Sequence, residues 1–303
     1  MATRSTPKPL AGLRIVSLAL NLPGPAALMR LQAMGARCLK VEPPGPGTTP
    51  AGRPISGDPM GQYDIGAYSV MHEGVRVLQL DLKTERGQAQ LARELLRADL
   101  LLTSFRPSAL VKLGLDWKSL RRSFGHLSMV EIVGAPGERA DEPGHDLTYL
   151  AEAGLVTGTE LPPSLLADMA GALMTSEAAL SALMQARAAG RGQYRQVALS
   201  QAAAWLALPR TWGMTLPSGT VGGAHAGYRV YPCKDGRVAI AALEPHFARA
   251  LFAVAGLPEP DLRAPFAPQA REAIAAWALS KTRRQLDALA STHDIPLHTL
   301  PKS

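Results

Sequence analysis

Imidazole and carboxyl groups are the side chains that move protons near neutral pH. Three of them stand out here: His145 in Gly144-His145-Asp146, Asp168 in Leu166-Ala167-Asp168-Met169-Ala170-Gly171, and Glu244 in Ala242-Leu243-Glu244-Pro245. Taken singly, each has a structural explanation. A Gly-His-Asp segment reads as a helix start, with His145 near the N-cap and Asp146 favouring the dipole. Asp168 reads as a solvated or capping carboxylate, and Glu244 as the first-turn acid of the helix after it. Gly24, between two prolines, can bring backbone N–H groups close to a phosphate, but no Walker sequence or Gly-x-Gly-x-x-Gly is present. No Gly-x-Ser-x-Gly elbow supports hydrolase chemistry. No spacing resembles a metal site, and His293, Asp294 and His298 read as solvated tail residues.

The elements that must position these residues alternate between strand and helix in the first half. Residues 13–18 read as a strand, Pro23-Gly24-Pro25 breaks the chain, residues 26–34 read as a helix ending at Gly35, and residues 37–42 as a second strand. That is the grammar of a βαβ unit in a parallel sheet. Residues 43–70, rich in Gly and Pro, read as a long functional loop. Further strands are expected at 76–81, 99–103 and 128–133, with helices at 84–97, N-capped by Thr84, and at 108–113. In such an open α/β sheet, ligands favour the crevice beyond the carboxyl ends of the strands. After Gly144 a long alanine-rich helix is expected at 164–189, stopped at Gly190-Arg191-Gly192. A strand at 193–200, a hairpin over 228–241 and a mostly helical remainder to about 290 follow. The expected division is a large α/β domain over 1–190 and a smaller α+β domain over 191–303.

Composition narrows the class. At 303 residues, 47% hydrophobic and 19% charged, the chain has the balance of a globular protein with a substantial core. No apolar run approaches the ~20 residues of a membrane span, and the N-terminal residues carry no apolar signal core. Cys38 and Cys233, far apart, read as reduced buried thiols of a cytoplasmic protein. The net charge of +7 comes from 32 basic and 25 acidic side chains spread along the chain. Nucleic-acid binding usually shows a basic stripe or tail, whereas a phosphorylated small ligand needs only a locally positive pocket.

A set of segments in fixed order goes further. They are Leu22-Pro23-Gly24-Pro25, Gly35-Ala36-Arg37-Cys38-Leu39-Lys40-Val41-Glu42, Leu80-Asp81-Leu82-Lys83, Ala98-Asp99-Leu100, Phe105-Arg106-Pro107, Gly144-His145-Asp146, the Asp168 segment, Gly190-Arg191-Gly192-Gln193 and the Glu244 segment. Together they resemble the family III CoA-transferases (CaiB/BaiF type), and within them the 2-methylacyl-CoA racemases, from about Leu10 to His298. The resemblance implies an acyl-CoA substrate, no cofactor beyond its coenzyme A moiety, no metal, and no nucleic-acid or membrane partner. It also implies a homodimer of interlocked rings.

In the transferases the aspartate matching Asp168 is the nucleophile that forms a mixed anhydride and then an enzyme thioester. The racemases add the histidine matching His145 and the glutamate matching Glu244, so racemisation is favoured. Inverting a carbon beside a thioester carbonyl needs an acid and a base on opposite faces of a planar enolate. His145 and a protonated Asp168 form such a pair. Asp168 must then have a raised pKa, expected from burial among Leu166, Ala167, Met169 and Ala170. Glu244 is expected to orient His145 or a helix dipole near it. Backbone N–H groups at the start of the Asp168 helix are expected to hold the enolate oxygen. Pro23, Gly24, Lys40 and Arg106 match the nucleotide and phosphate contacts, with Arg76 and Lys83 as lesser candidates.

The chain departs from the family at Met71-His72-Glu73-Gly74-Val75, where an Asn-Arg segment is usual, and at Thr103-Ser104, Gln196 and Gly134-Ala135-Pro136-Gly137. The resemblance implies a returning segment past Pro296, whereas this sequence stops at Ser303. A transferase using Asp168, and a non-catalytic acyl-CoA binding protein, are the alternatives.

Overall fold

The computed structural model describes residues 8–48, 52 and 54–302, in two compact units, Met1–Ala207 and Leu208–Ser303. The first unit holds β1 (Arg14–Ser17), β2 (Arg37–Glu42), β3 (Pro44–Thr48), β4 (Pro54–Ser56), β5 (Arg76–Gln79), β6 (Leu100–Thr103), β7 (Ser128–Val133) and β8 (Tyr194–Ala198). Six of these form one sheet in the order β5-β2-β1-β6-β7-β8, and every pairing in it is parallel. Parallel strands covered on both faces read as continuous apolar runs, and β6 and β7 are buried at every residue. Leu100, Leu101 and Leu102 are wholly buried, each contributing roughly 1.5–3 kcal/mol by leaving water.

Alternate strand residues serve two layers. Ile15, Leu100, Leu102, Val130 and Ile132 pack with the helices Pro23–Ala33 and Leu166–Ala189. Val16, Leu39, Leu101 and Met129 pack with Glu85–Leu95, Pro107–Leu113 and Trp117–Ser123 on the other face. The long helix Leu166–Ala189 buries Ala167, Gly171, Ala172, Thr175, Ser176, Ala179 and Ala182; such small residues let neighbouring elements approach closely. It ends at Gly190 with φ 65°, a left-handed cap that glycine adopts freely. Thr84 N-caps its helix as expected, accepting the Gly87 N–H at 3.1 Å.

Three expectations are corrected. The domain boundary expected at 190/191 lies after Ala207, because β8 is hydrogen-bonded to β7 and belongs to the first sheet. The loop expected over 43–70 holds the antiparallel pair β3–β4 and the helices Pro59–Tyr63 and Ile65–Met71. Asp58 and Asp64 N-cap those helices through their side chains, a short-range signal with no periodicity to announce it; residues 49–51 and 53 lie outside the described residues. The C-terminal tail is a strand.

That strand belongs to the second unit, where β9 (Tyr228–Cys233), β10 (Gly236–Ala241) and β11 (Leu297–Pro301) form an antiparallel sheet in the order β11-β10-β9. His298 pairs with Ala239 across it. One face packs on Leu251, Phe252, Ile274, Trp277 and Leu286, from the helices Pro245–Val254, Pro268–Leu279 and Arg283–His293. The free cysteines are buried, and burial pushes the Cys38 thiol up to about 12. Among the described residues no helix is long and apolar enough to cross a membrane.

Gly24 is required by packing. A Cβ there would lie 2.1 Å from the Ala19 Cβ. Gly24→Ala is expected to lower stability by roughly 1–3 kcal/mol. Gly158→Ala, whose Cβ would meet nothing within 4 Å, should change it by less than about 0.5 kcal/mol. Denaturant unfolding of both variants checks the difference.

Candidate active site

β1 has β2 on one side and β6 on the other, so the strand order reverses between β1 and β6. Loops leaving these two strands diverge and open a crevice at the carboxyl edge of the sheet. A cavity of about 250 Å³ lies there. Its walls are Leu20, Asn21 and Pro23 after β1, Ser104 and Arg106 after β6, and Val133 and Gly134 at the end of β7. His145, Tyr149 and Asp168 also line it. Gly134 and Gly144 make room for the Tyr149 hydroxyl, which would lie 2.4 and 2.5 Å from a Cβ at those positions.

His145 is the N-cap of the helix Asp146–Glu152. Thr148 Oγ1 accepts the His145 N–H at 3.1 Å and donates to the His145 carbonyl at 2.7 Å. This fixes the backbone while the exposed imidazole borders the cavity. The helix-start reading of Gly-His-Asp is therefore correct, and it also serves the cavity. The next residue, Asp146, is buried, and its Oδ1 accepts the Asp168 N–H at 2.9 Å. One dipeptide thus places an imidazole and ties down the first turn of the Asp168 helix.

Burial first, and the Asp146 carboxylate second, push the Asp168 carboxyl up to about 7. Charged carboxylates lose solvation when buried, and a like charge nearby disfavours a second one. The expected source of that burial is corrected. Leu166 and Met169 are 39% and 42% exposed; of the near neighbours only Ala167 is fully enclosed. The enclosure comes from the cavity walls. Of the expected enolate donors, the Leu166 N–H is taken by the Ser164 carbonyl at 3.1 Å, the Asp168 N–H by Asp146, and the Met169 N–H by the Leu165 carbonyl at 3.0 Å.

The binding candidates divide. Arg106 and Pro23 line the cavity, with Gly24 buried directly behind. Lys40 does not meet the expectation of a phosphate contact: its side chain is wholly buried and ion-paired with Asp58. Arg76 is exposed, 3.2 Å from Glu94, and stands at the amino end of β5, away from the carboxyl edge. Lys83 is exposed in the turn after β5. Glu244, exposed, is the N-cap of the helix Pro245–Val254 in the second unit. His72, in the segment that departs from the family, is buried against Tyr68 with Nδ1 2.7 Å from the Tyr68 carbonyl oxygen. Burial and then the Lys40 charge lower its pKa.

Sequence reasoning missed Asn21, Ser104, Tyr149, Asp146 as a tie to Asp168, and Asp58. Asp146 was visible inside the Gly-His-Asp segment. Asp58 carried only the local signal of an N-cap before Pro59; its partners Lys40 and Asn21 are 18 and 37 residues away.

The Asp168 shift has a stability consequence. Folded, the group holds its proton to about pH 7; unfolded, only to its ordinary value of 3.8. Between these values the folded state binds the extra proton, so stability falls as pH rises through the window and the loss is complete above it. Asp168→Asn, neutral throughout, is expected to be more stable than wild type at pH 8 by roughly 1–3 kcal/mol, discounted for partial exposure. The gap should close toward pH 4. Denaturant unfolding across that range checks it; a gap that does not depend on pH contradicts the shift.

Comparison with known proteins agrees with this geometry. The sequence matches CoA-transferase family III over residues 10–302. It is 33% identical over 216 residues to the "Probable fatty acyl-CoA transferase Rv3272" of Mycobacterium tuberculosis, covering 68% of this chain and 54% of that one. It is 32% identical over 271 residues to human alpha-methylacyl-CoA racemase, covering 84% and 66%. The matched regions thus span between half and two thirds of these relatives. The crystal structure of Rv3272 superposes with a TM-score of 0.79 at 25% identity, covering 97% of this chain and 85% of that one. A CAIB/BAIF family protein from Brucella suis shares the fold, with a TM-score of 0.74 at 24% identity over 96% and 84% of the two chains. With its parallel sheet, its switch-point cavity and this match over nearly its whole length, the chain belongs to CoA-transferase family III.

Proposed function

We propose that the cavity takes the acyl end of an acyl-coenzyme A thioester, and that the chain is a 2-methylacyl-CoA racemase or epimerase. The observation that carries this reading is that His145 and Asp168 line one cavity. Neutral His145 takes the C2 proton, and the electron pair left behind delocalises into the thioester as an enolate. Asp168, held partly protonated at neutral pH, gives its proton to the opposite face of C2. In the reverse direction the carboxylate abstracts and the imidazolium returns the proton. A pKa near the working pH keeps both forms of the acid populated.

A cavity of about 250 Å³ suits an acyl group and not a whole coenzyme A. The nucleotide and phosphates would extend outward past Arg106, whose guanidinium can hold a phosphate in paired hydrogen bonds. Pro23 and Gly24 shape the floor of that path, with Lys83 as a more distant contact. Assembly as a homodimer belongs to the same reading; a monomer in sedimentation would reject that part.

The second reading is a transferase in which the Asp168 carboxylate attacks the thioester carbonyl and expels the coenzyme A thiolate, leaving a mixed anhydride. Several relatives favour it by name, among them the cinnamoyl-CoA:phenyllactate CoA-transferase of Clostridium sporogenes. The two readings separate in heavy water. With 2-methylacyl-CoA esters of several chain lengths, the racemase takes up deuterium at C2, and His145→Ala or Asp168→Asn slows uptake by roughly 10²–10⁴-fold. No uptake with any ester rejects the racemase. An Asp168 adduct trapped by hydroxylamine then assigns the transferase. Binding of coenzyme A in calorimetry with neither activity assigns an acyl-CoA binding protein.

A further inference from the structure

The loop between β1 and the helix Pro23–Ala33 is pinned one amide at a time. Leu18 N–H donates to the Leu102 carbonyl at 2.7 Å and Ala19 N–H to Ser17 Oγ at 3.2 Å. Leu20 N–H donates to Ser104 Oγ at 3.0 Å and Asn21 N–H to Asp58 Oδ1 at 3.1 Å. Asn21 has φ 62°, in the left-handed region that asparagine tolerates better than most side chains and that larger or branched ones resist. It lines the cavity of His145 and Asp168. Among the described residues its carboxamide has no hydrogen-bond partner.

Asp58 holds this conformation in place. Its Oδ1 also accepts the Met60 N–H at 3.0 Å, and its Oδ2 pairs with the Lys40 ammonium, both side chains being wholly buried. A buried ion pair is a weak stabiliser, because desolvating two charges offsets most of their attraction. What this one gains is position. Lys40 stands beside Ser17 in the β1–β2 register, so Asp58 is anchored against the strand that feeds the loop. Glu42, two residues on in β2, fixes the other side of the segment. It accepts from Ser56 Oγ at 2.9 Å, Tyr68 Oη at 2.8 Å and Gln79 Nε2 at 3.1 Å.

We propose that Asp58 is a positioning residue of the acyl site, and that Asn21 is the residue it aims, donating a carboxamide N–H to the thioester oxygen of the bound acyl group. The proposal rests on the acyl-CoA reading above. It supplies an oxygen donor in place of the Leu166, Asp168 and Met169 amides, which are occupied. A donor fixed before the reaction strengthens as that oxygen gains charge in the enolate, so its loss slows C2 exchange more than it weakens binding.

Calorimetry with 2-methylpropanoyl-CoA and with free coenzyme A, which lacks the thioester oxygen, tests this. Asn21→Gly keeps the left-handed backbone and loses the carboxamide. It is expected to weaken the acyl-CoA by roughly fivefold to tenfold, the loss of one hydrogen bond, and to leave free coenzyme A within about twofold. Two double variants isolate the anchor. Lys40→Met with Asp58→Asn removes both charges but keeps an acceptor for the Asn21 N–H, and should retain the wild-type affinity ratio. Lys40→Met with Asp58→Ala removes the acceptor too, and should lose the ratio as Asn21→Gly does. An unchanged ratio in Asn21→Gly overturns the role of Asn21, and equal ratios in the two double variants overturn the role of Asp58. If the Ala double variant does not fold, Asn21→Gly still decides, since glycine is unstrained at this φ. A wild type that binds both ligands while Asn21→Gly changes nothing overturns this proposal alone. A wild type that binds neither overturns the acyl-CoA reading as well.

Discussion

Because β2 lies on one side of β1 and β6 on the other, the chain leaving β1 and the chain leaving β6 turn toward opposite faces of the sheet. No side chain placed elsewhere could open the same crevice. Asn21 and Pro23 reach it from one loop, Ser104 and Arg106 from the other, and the hydrogen bond from Leu20 N–H to Ser104 Oγ ties the two lips together. The sheet that supports them is buried through β6 and β7 at every position, so the edge stands on packed strands.

On that edge the unusual feature is how one short segment serves two roles. Gly144 leaves room for the Tyr149 hydroxyl, His145 borders the cavity as an N-cap, and Asp146 accepts the Asp168 N–H. The last contact has two opposed effects. It stabilises the start of the long helix, where a carboxylate facing N–H groups is favoured. It also brings a second negative charge close to Asp168, adding to the desolvation that already raises that group. One carboxylate therefore anchors the helix and adds to the burial that keeps Asp168 protonated.

The fold was largely legible from residue patterns, because a βαβ sheet announces itself through apolar strands, glycine stops and capping residues such as Thr84. What escaped were features made by distant partners or by elements too short for periodicity. The helices at Pro59–Tyr63 and Ile65–Met71 are each about one or two turns, set by the side chains of Asp58 and Asp64. The boundary escaped because β8 follows the glycine stop at 190–192 and still returns to the first sheet. Lys40 was placed among the phosphate contacts by the family match, in keeping with the usual exposure of lysine; only the fold reveals Asp58 beside it. At the site, His145 and Asp168 were placed by family resemblance, while the carboxylate that connects them, Asp146, stood in the same motif and was read only as a helix-dipole acid.

A raised carboxyl does not by itself separate proton transfer from nucleophilic attack. With a pKa of about 7, Asp168 is close to half ionised at neutral pH. Ionisation then limits a nucleophile by only about twofold, a small factor beside the six or more orders of magnitude an enzyme supplies. The other side chain makes the distinction. Acyl transfer to a carboxylate moves no proton from carbon and expels a thiolate, so it makes no demand for a base on the cavity wall. Deprotonation at C2 does make that demand, and it also requires the second group to carry a proton when the first does not. An imidazole and a carboxyl raised to about 7, bordering one cavity, meet both conditions. A solitary carboxylate meets neither, and this is why the racemase reading depends more on the placement of His145 than on the acidity of Asp168.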